Sequence, residues 1–448
     1  MSLSSETGFA LLADALPAMC ADDELLSASL SAEHSQFVRF NRAQIRQLSQ
    51  VAQAKLSLNL SDGRRRASTT LTVADDPAQA LVALRAALHE LRLRLHALPS
   101  DPFLGMPAPV ARSSRDDAGD DRDDPRIAAR IAELASGDDF VGFLASGPIV
   151  RAVADNRGMR HWHRVRSSLL DFSLQGARGG HGPAAAVKSI VAGERWHEPS
   201  FITALAQARS HLPALLAEPR AIAPGRYRVY LGPMAVADLL AAMAWSGFSR
   251  RDRATGTSAL SRLSEEAIRL SPAFTLAESP ARGLAPAFTP EGHTRPGELA
   301  LIDAGRPGAM LVSPRSAAEF GDPITADEGE SPHAMIMNAG TLAPDQCLAA
   351  LGDGLWIENI WYLNYSDRRA SRVTGMSRFA SFVVEGGRIA APLAPMRFDD
   401  TLIHLFGDGL EAATTQTQVL PDGSTWGARS LDATRCPGIL VSDMHFAL

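Results

Sequence analysis

The chain has 448 residues, an ordinary apolar fraction of 46% and a formal net charge of −6. That length exceeds what one core of ~250–300 residues supports, so two domains are expected. The mild negative charge with dispersed basic residues argues against a dedicated nucleic-acid surface, and no apolar run approaches the ~20 residues of a membrane helix. Three scattered cysteines (Cys20, Cys347, Cys436) form no CxxC pair, which fits reduced thiols. The N-terminal stretch is interrupted by Glu6 and Asp14, so it reads as an amphipathic helix rather than an export signal, and a cytoplasmic protein is expected.

In chain order, a helix over residues 6–20 precedes a strand at Phe37–Asn41. Strands 51–60 and 64–73 meet at Asp62-Gly63, a hairpin signal, with Leu56, Leu58 and Leu60 on one face. Asp76 as N-cap and Pro77 at the first helical position open a helix to about Leu98. Residues 112–125 hold six aspartates between Asp116 and Asp124. They lack the glycine-and-glutamate spacing of a calcium loop and read as a flexible charged insertion. Strand-like runs at 150–173 and 185–192 and a helix over 199–217 complete an N-terminal domain, residues 1–221. It is predicted to be α+β, with an antiparallel sheet and helices. Residues 222–448 open with strand 227–231 and helix 234–245, then become β-rich, either barrel-like or sandwich-like with a few helices.

Within that half, strand 334–337, a helix from Pro344 to Gly352, an aromatic strand 355–365 and a Gly386-Gly387 hairpin follow one another. Four of the chain's six Trp and four Tyr fall in the aromatic strand: Trp356, Trp361, Tyr362 and Tyr365. Such a strand is either a core seam or the wall of a groove. In the second reading Trp361, Tyr362 and Asn364 line a channel for an extended peptide, and Arg368, Arg369 and Arg372 attract acidic segments or a partner subunit.

No self-contained catalytic motif emerges. There is no GxSxG elbow and no P-loop. His89 and His96 lie seven apart, about 10 Å along a helix at ~1.5 Å per residue, too far to share one zinc ion. His161 and His163 would share a strand face but have no third ligand nearby, and His181 sits in a glycine-rich loop. Cys347 and Cys436 read as buried residues.

Several stretches carry a family resemblance by their order and spacing: Phe37–Asn41, Thr255–Ser258, Phe288–Gly292, Leu301–Gly305, His333–Gly340, Leu351–Gly354, Phe379–Ile389 and Cys436–Met444. Together they resemble the TldD/PmbA proteins, paired bacterial subunits of a peptidase. In that family one subunit carries HExxxH on a helix of the second domain and a later cysteine ligand. Here the corresponding helix, Leu239–Ser249, contains neither His nor Glu, and Cys436 matches the cysteine of the PmbA (TldE) type. The resemblance therefore implies a subunit that binds no metal itself, with zinc expected only in a TldD-like partner. It also implies unfolded peptide as substrate, in a complex that trims antitoxins and peptide-antibiotic precursors, with a homodimer possible. Two other readings stay open. One is a self-contained hydrolase using Cys436 and a histidine. The other is a non-enzymatic peptide- or protein-binding module, in line with the family's association with DNA gyrase control.

Overall fold

The structure, a computed structural model, describes residues 2–118, 125–177, 184–265 and 268–447. The predicted N-terminal helix is α1 (Glu6–Ala15), whose N-cap Ser5 Oγ accepts from the Gly8 amide at 3.1 Å. Three antiparallel strands follow, β1 (Leu25–Asn41), β2 (Gln44–Ser61) and β3 (Arg66–Val73). Leu56, Leu58 and Leu60 are fully buried, as period-two alternation requires. The β2–β3 turn forms where Asp62 accepts from the amides of Arg64 and Arg65 and Gly63 takes φ 82°. α2 (Pro77–Ala97) starts on Asp76, whose carboxylate accepts from the Ala78 amide at 2.9 Å. Its stripe Ala80, Leu84, Leu88, Leu91 and Leu95 packs onto the sheet together with Phe9 and Leu12 of α1. His89 and His96 lie on its exposed side.

Arg112–Asp116, expected as part of a charged loop, instead form β4, parallel to Arg160–Arg164 at the sheet edge. The strand satisfies backbone groups that β6 would otherwise leave open, a tertiary gain that composition does not show. The acidic run 119–124 and the loop carrying His181 lie outside the described residues. The half continues with α3 (Pro125–Leu134), β5 (Phe140–Asp155), β6 (Arg160–Ala177), β7 (Ala184–Gly193) and α4 (Glu198–Leu215). The sheet order is β3-β2-β1-β5-β6-β4, with β7 beside the far end of β6. All its pairings are antiparallel except β4–β6. The long strands serve two cores. One end packs on α1 and α2, and the other packs on α3 and α4 through Phe140, Phe172 and Phe201.

The second sheet begins at β8 (Gly225–Leu231), followed by the apolar α5 (Pro233–Gly247), α6 (Arg250–Ala254) and α7 (Ser261–Glu265). α5 breaks at Trp245 and Ser246, where Ser246 takes φ 76°. Then come β9 (Leu276–Glu278), β10 (Leu299–Asp303), β11 (Arg306–Pro307), α8 (Pro314–Phe320), β12 (Ala334–Met337) and α9 (Cys347–Leu351). The remainder is β13 (Gly354–Asp367), β14 (Arg372–Glu385), β15 (Arg388–Pro392), β16 (Arg397–Thr401), α10 (Leu402–Leu405), β17 (Leu410–Pro421) and β18 (Ala433–Ala447). Pairings β8–β13, β13–β14, β14–β16, β16–β18 and β18–β8 return to their start, so five strands close a small barrel. β12, β9, β10 and β11 extend the sheet outward from β18. α5 covers the barrel with Val236, Leu239, Leu240 and Met243, packed in one core with Val229, Leu355, Ile357 and Val441. The glycine turn Gly386-Gly387 has φ 55° and 73°, the left-handed pair a two-residue hairpin needs.

The halves are joined through side chains. Tyr230 and Trp356 of the barrel have ring centroids 4.0 Å apart, and His211 of α4 meets Trp356 and Phe382 edge-on at 6.3 and 5.5 Å. Elsewhere the loop before β18 inserts Arg429, 5% exposed, into the N-terminal sheet. Its guanidinium donates to Ser35 Oγ at 3.2 Å, the Gly147 carbonyl at 3.3 Å and the Ser167 carbonyl at 2.8 Å, and its amide donates to Glu33 Oε2 at 3.3 Å. Glu33 is itself buried. Replacing the cation with an apolar chain leaves those buried carbonyl and hydroxyl acceptors without their donor, so Arg429→Met is expected to lower unfolding stability by about 1–3 kcal/mol in urea titration. Exposed arginines such as Arg369 should change it by no more than about 0.5 kcal/mol.

Candidate functional site

β13 divides into two parts. Leu355–Ile360 are buried, whereas Trp361 and Tyr362 are 48% and 72% exposed. The cause is topological. β8 pairs with β13 only along Leu355–Ile357, and beyond that point β13 and β14 run on as a two-stranded ribbon. Register shifts at Ile357/Asn359 and Trp361/Asn364 kink the ribbon, and Tyr362 and Phe379 take φ 55° and 54°. For residues of this size the left-handed region costs ~1–2 kcal/mol each. Tyr365 ties the ribbon to α5 by donating its hydroxyl to the Ala242 carbonyl at 2.7 Å.

Trp361 and Tyr362 touch at 4.4 Å between centroids, Arg368 stacks on Trp245 at 4.8 Å, and Arg378 stacks on Trp361 at 3.6 Å. Trp361, Tyr362 and Asn364 line one shallow depression with Trp245 and Asp238. Asn364 Oδ1 accepts from the Tyr365 amide at 2.8 Å, so its oxygen serves the local turn. Arg368 lies against Trp245 rather than in the cleft wall, Arg369 is exposed in the β13–β14 turn, and Arg372 pairs with Asp399 at 3.1 Å.

Between β7 on one side and α5, β13 and β17 on the other runs a cleft in two chambers of about 600 and 660 Å³. The chambers share Lys188, Ile190 and Met234. Four polar groups that sequence patterning passed over define its chemistry. Glu358 follows the buried run Leu355–Ile357, and its Oε1 accepts from Trp356 Nε1 at 2.8 Å. Gly232 makes room for it, because a β-carbon there would stand 2.3 Å from Oε2. Burial pushes the Glu358 carboxyl up to about 7. Asp238, open to the cleft yet walled by protein, is pushed up to about 6 by lost hydration, with Lys188 opposing. Asn359 donates from Nδ2 to Met234 Sδ at 3.3 Å, while its buried Oδ1 has no partner among the described residues. Arg378 is the fourth. A lone acid inside an apolar strand or helix (Glu358, Asp238) was the one available sequence signal.

Other titratable groups have structural duties. His333 lies between Asp327 and Asp432, each at 2.8 Å. Burial opposes its charge, but those hydrogen bonds outweigh it and raise it to about 9. His161 and His163 do share a strand face, but they are buried against Phe288. Burial lowers His163 to about 4, and its Nε2–H donates to the Leu284 carbonyl at 2.8 Å. Cys436 is fully buried with Sγ 3.3 Å from the Pro233 carbonyl, and burial, reinforced by Asp238, holds the thiol above its ordinary range. A thiol so placed makes a poor nucleophile at neutral pH. Cys347 is likewise a core residue. α5 turns Met234, Ala237, Asp238 and Ala241 to the cleft. These do not fit a zinc centre of three His, Cys or carboxylate ligands, and no such trio converges among the described residues.

Fold and cleft define a two-sheet α+β protein with a closed barrel and an open groove between its halves. The chain belongs to the PmbA/TldD family: residues 224–448 match the model described as the PmbA/TldA metallopeptidase C-terminal domain. No curated protein sequence matches it. Among solved structures, TldE from Thermococcus kodakarensis superposes with a TM-score of 0.81 at 13% identity, over 98% of this chain and all of that one. A candidate modulator of DNA gyrase from Thermotoga maritima gives 0.78 at 14% identity, over 98% of this chain and all of that one. At these identities the likeness is one of fold. No helix among the described residues is long and apolar enough to cross a membrane.

Glu358 supplies a pH test. Its ordinary value of 4.5 and folded value of about 7 mean that between them the folded chain holds a proton the unfolded chain has lost. Stability therefore falls as pH rises from about 4.5 to about 7, by roughly 3 kcal/mol in total. Glu358→Gln, which keeps the acceptor for Trp356, is expected to flatten that dependence and to be the more stable protein at pH 8. Urea titrations across pH read both.

Proposed function

We propose that this chain is a metal-free, PmbA/TldE-like subunit that works beside a TldD-like subunit bearing HExxxH, in the cytoplasm, on unfolded peptides. It holds the peptide extended in the cleft between β7 and the β13–β14 ribbon, and the partner supplies zinc and the water-activating glutamate. The observation that carries this reading is the cleft face of α5. There the family's metal-bearing helix presents a thioether, methyl groups and one carboxylate beside a groove walled by strands and exposed aromatic rings. Open strand edges and aromatic faces suit an extended chain whatever its sequence. The self-contained hydrolase reading is disfavoured by the burial of Cys436.

Co-expression with an HExxxH-bearing relative should give a co-purifying complex that cleaves a denatured peptide, with zinc in the partner only. Stoichiometric zinc and proteolysis by this chain alone would overturn the reading. In the complex, Trp361→Ala combined with Tyr362→Ala should lower kcat/KM for peptide by roughly tenfold. That is the loss of about 1.4 kcal/mol, as for one modest aromatic anchor.

A further inference from the structure

We infer that the chamber beneath the ribbon is a subsite for the C-terminal carboxylate of a bound peptide, received by Arg378 with Asn359 beside it. This rests on the reading of the cleft as a peptide groove and deepens it. Arg378 and Asn359 are cross-strand partners in the β13–β14 ladder, and both line the chamber with Met234 and Asp238 of α5. The Arg378 guanidinium lies 3.6 Å over the Trp361 ring and 5.0 Å from Phe379, and among the described residues no carboxylate stands within 4.0 Å of it. Stacking leaves the planar N–H fork free at its edge and limits its motion, the arrangement that favours bidentate capture of a carboxylate.

Asn359 is 6% exposed and its Oδ1 has no hydrogen-bond partner among the described residues. A buried acceptor left unpaired is costly, so a donor that reaches it is favoured. A donor fork beside an unfilled acceptor is complementary to a group that carries both an anion and an N–H. The last residue of a peptide is such a group, with its carboxylate on Arg378 and its own amide N–H on Asn359 Oδ1. A phosphate monoester, with a second pKa of about 6, is mostly dianionic at neutral pH and offers no hydrogen to the second. The left-handed backbone at Phe379, directly after Arg378, belongs to the bulge that sets this pair, and strain of this kind gathers at binding sites. Asp238 lines the same chamber, so the bond from Arg378 to the incoming carboxylate has to outweigh its repulsion.

The test is fluorescence anisotropy with the full chain and three forms of one short labelled peptide lacking Asp and Glu. The forms are a free C-terminal acid, a C-terminal amide, and the amide with one internal Glu. The acid is expected to bind at least about tenfold more tightly than the amide, the scale of a hydrogen bond to a charged group. Arg378→Met, which keeps the stem over Trp361, should abolish that difference, and Asn359→Leu should weaken binding of the acid. Equal binding of acid and amide to the unmodified protein overturns the subsite and leaves the groove. An internal-Glu amide that matches the acid overturns the terminal assignment. Binding of none of the three overturns both the subsite and the groove.

Discussion

The ring seam between Tyr230, Trp356, His211 and Phe382 is the contact on which the rest of the molecule depends. Large aromatic side chains each bury ~150–250 Å² and lock in tilted or edge-on geometries. A seam built from them fixes how far α4 and β7 stand from the barrel. Arg429 makes a second lock, where a buried cation from one half donates to carbonyls and hydroxyls of the other and its backbone amide donates to Glu33. With both locks closed, the space between β7 and α5 cannot collapse, and the cleft persists as an open groove.

The same closure explains why β13 has two characters. Barrel strands are buried where neighbours flank them on both sides, and β8 flanks β13 for only three residues. Trp356, inside that zone, is part of the seam. Trp361, beyond it, pairs with β14 alone, Tyr362 falls in the register shift that follows, and both turn outward. Glu358 sits at the transition. Its side chain fills the space that Gly232 leaves, and its proton affinity rises because burial strips its hydration, with the hydrogen bond from Trp356 opposing. The barrel therefore ends in a carboxyl group poised near neutrality, at the lip of the groove.

Local physics was legible throughout the chain. The Asp62-Gly63 hairpin, the Asp76-Pro77 helix start, the three-leucine face of β2 and the Gly386-Gly387 turn all follow from bonds within a few residues, and each lies where it was expected. The charged stretch at 112–116 was not legible as a strand, because its pairing partner is Arg160–Arg164, distant in sequence. Nor could His161 and His163 be told from exposed ligands by spacing alone. Their cover, Phe288 and Leu284, comes from the other half of the molecule. Lys188, Asp238, Glu358, Asn359 and Arg378 were missed as a set for the same reason, since they belong to β7, α5, β13 and β14 and meet only across the cleft.

What the amino-acid sequence determined by itself was the class of the fold, much of the order of its elements, the resemblance to the PmbA/TldD family, and the lack of histidine and glutamate on α5. Those properties are set by periodicity, turn chemistry and residue identity, which are local. What only the tertiary structure decided was that the aromatic strand is both core and groove wall, and which charged groups share a chamber. That outcome depends on where β8 stops pairing with β13 and on how two sheets dock. Both are long-range events, governed by barrel closure and inter-sheet packing, and neither leaves a mark on any single segment.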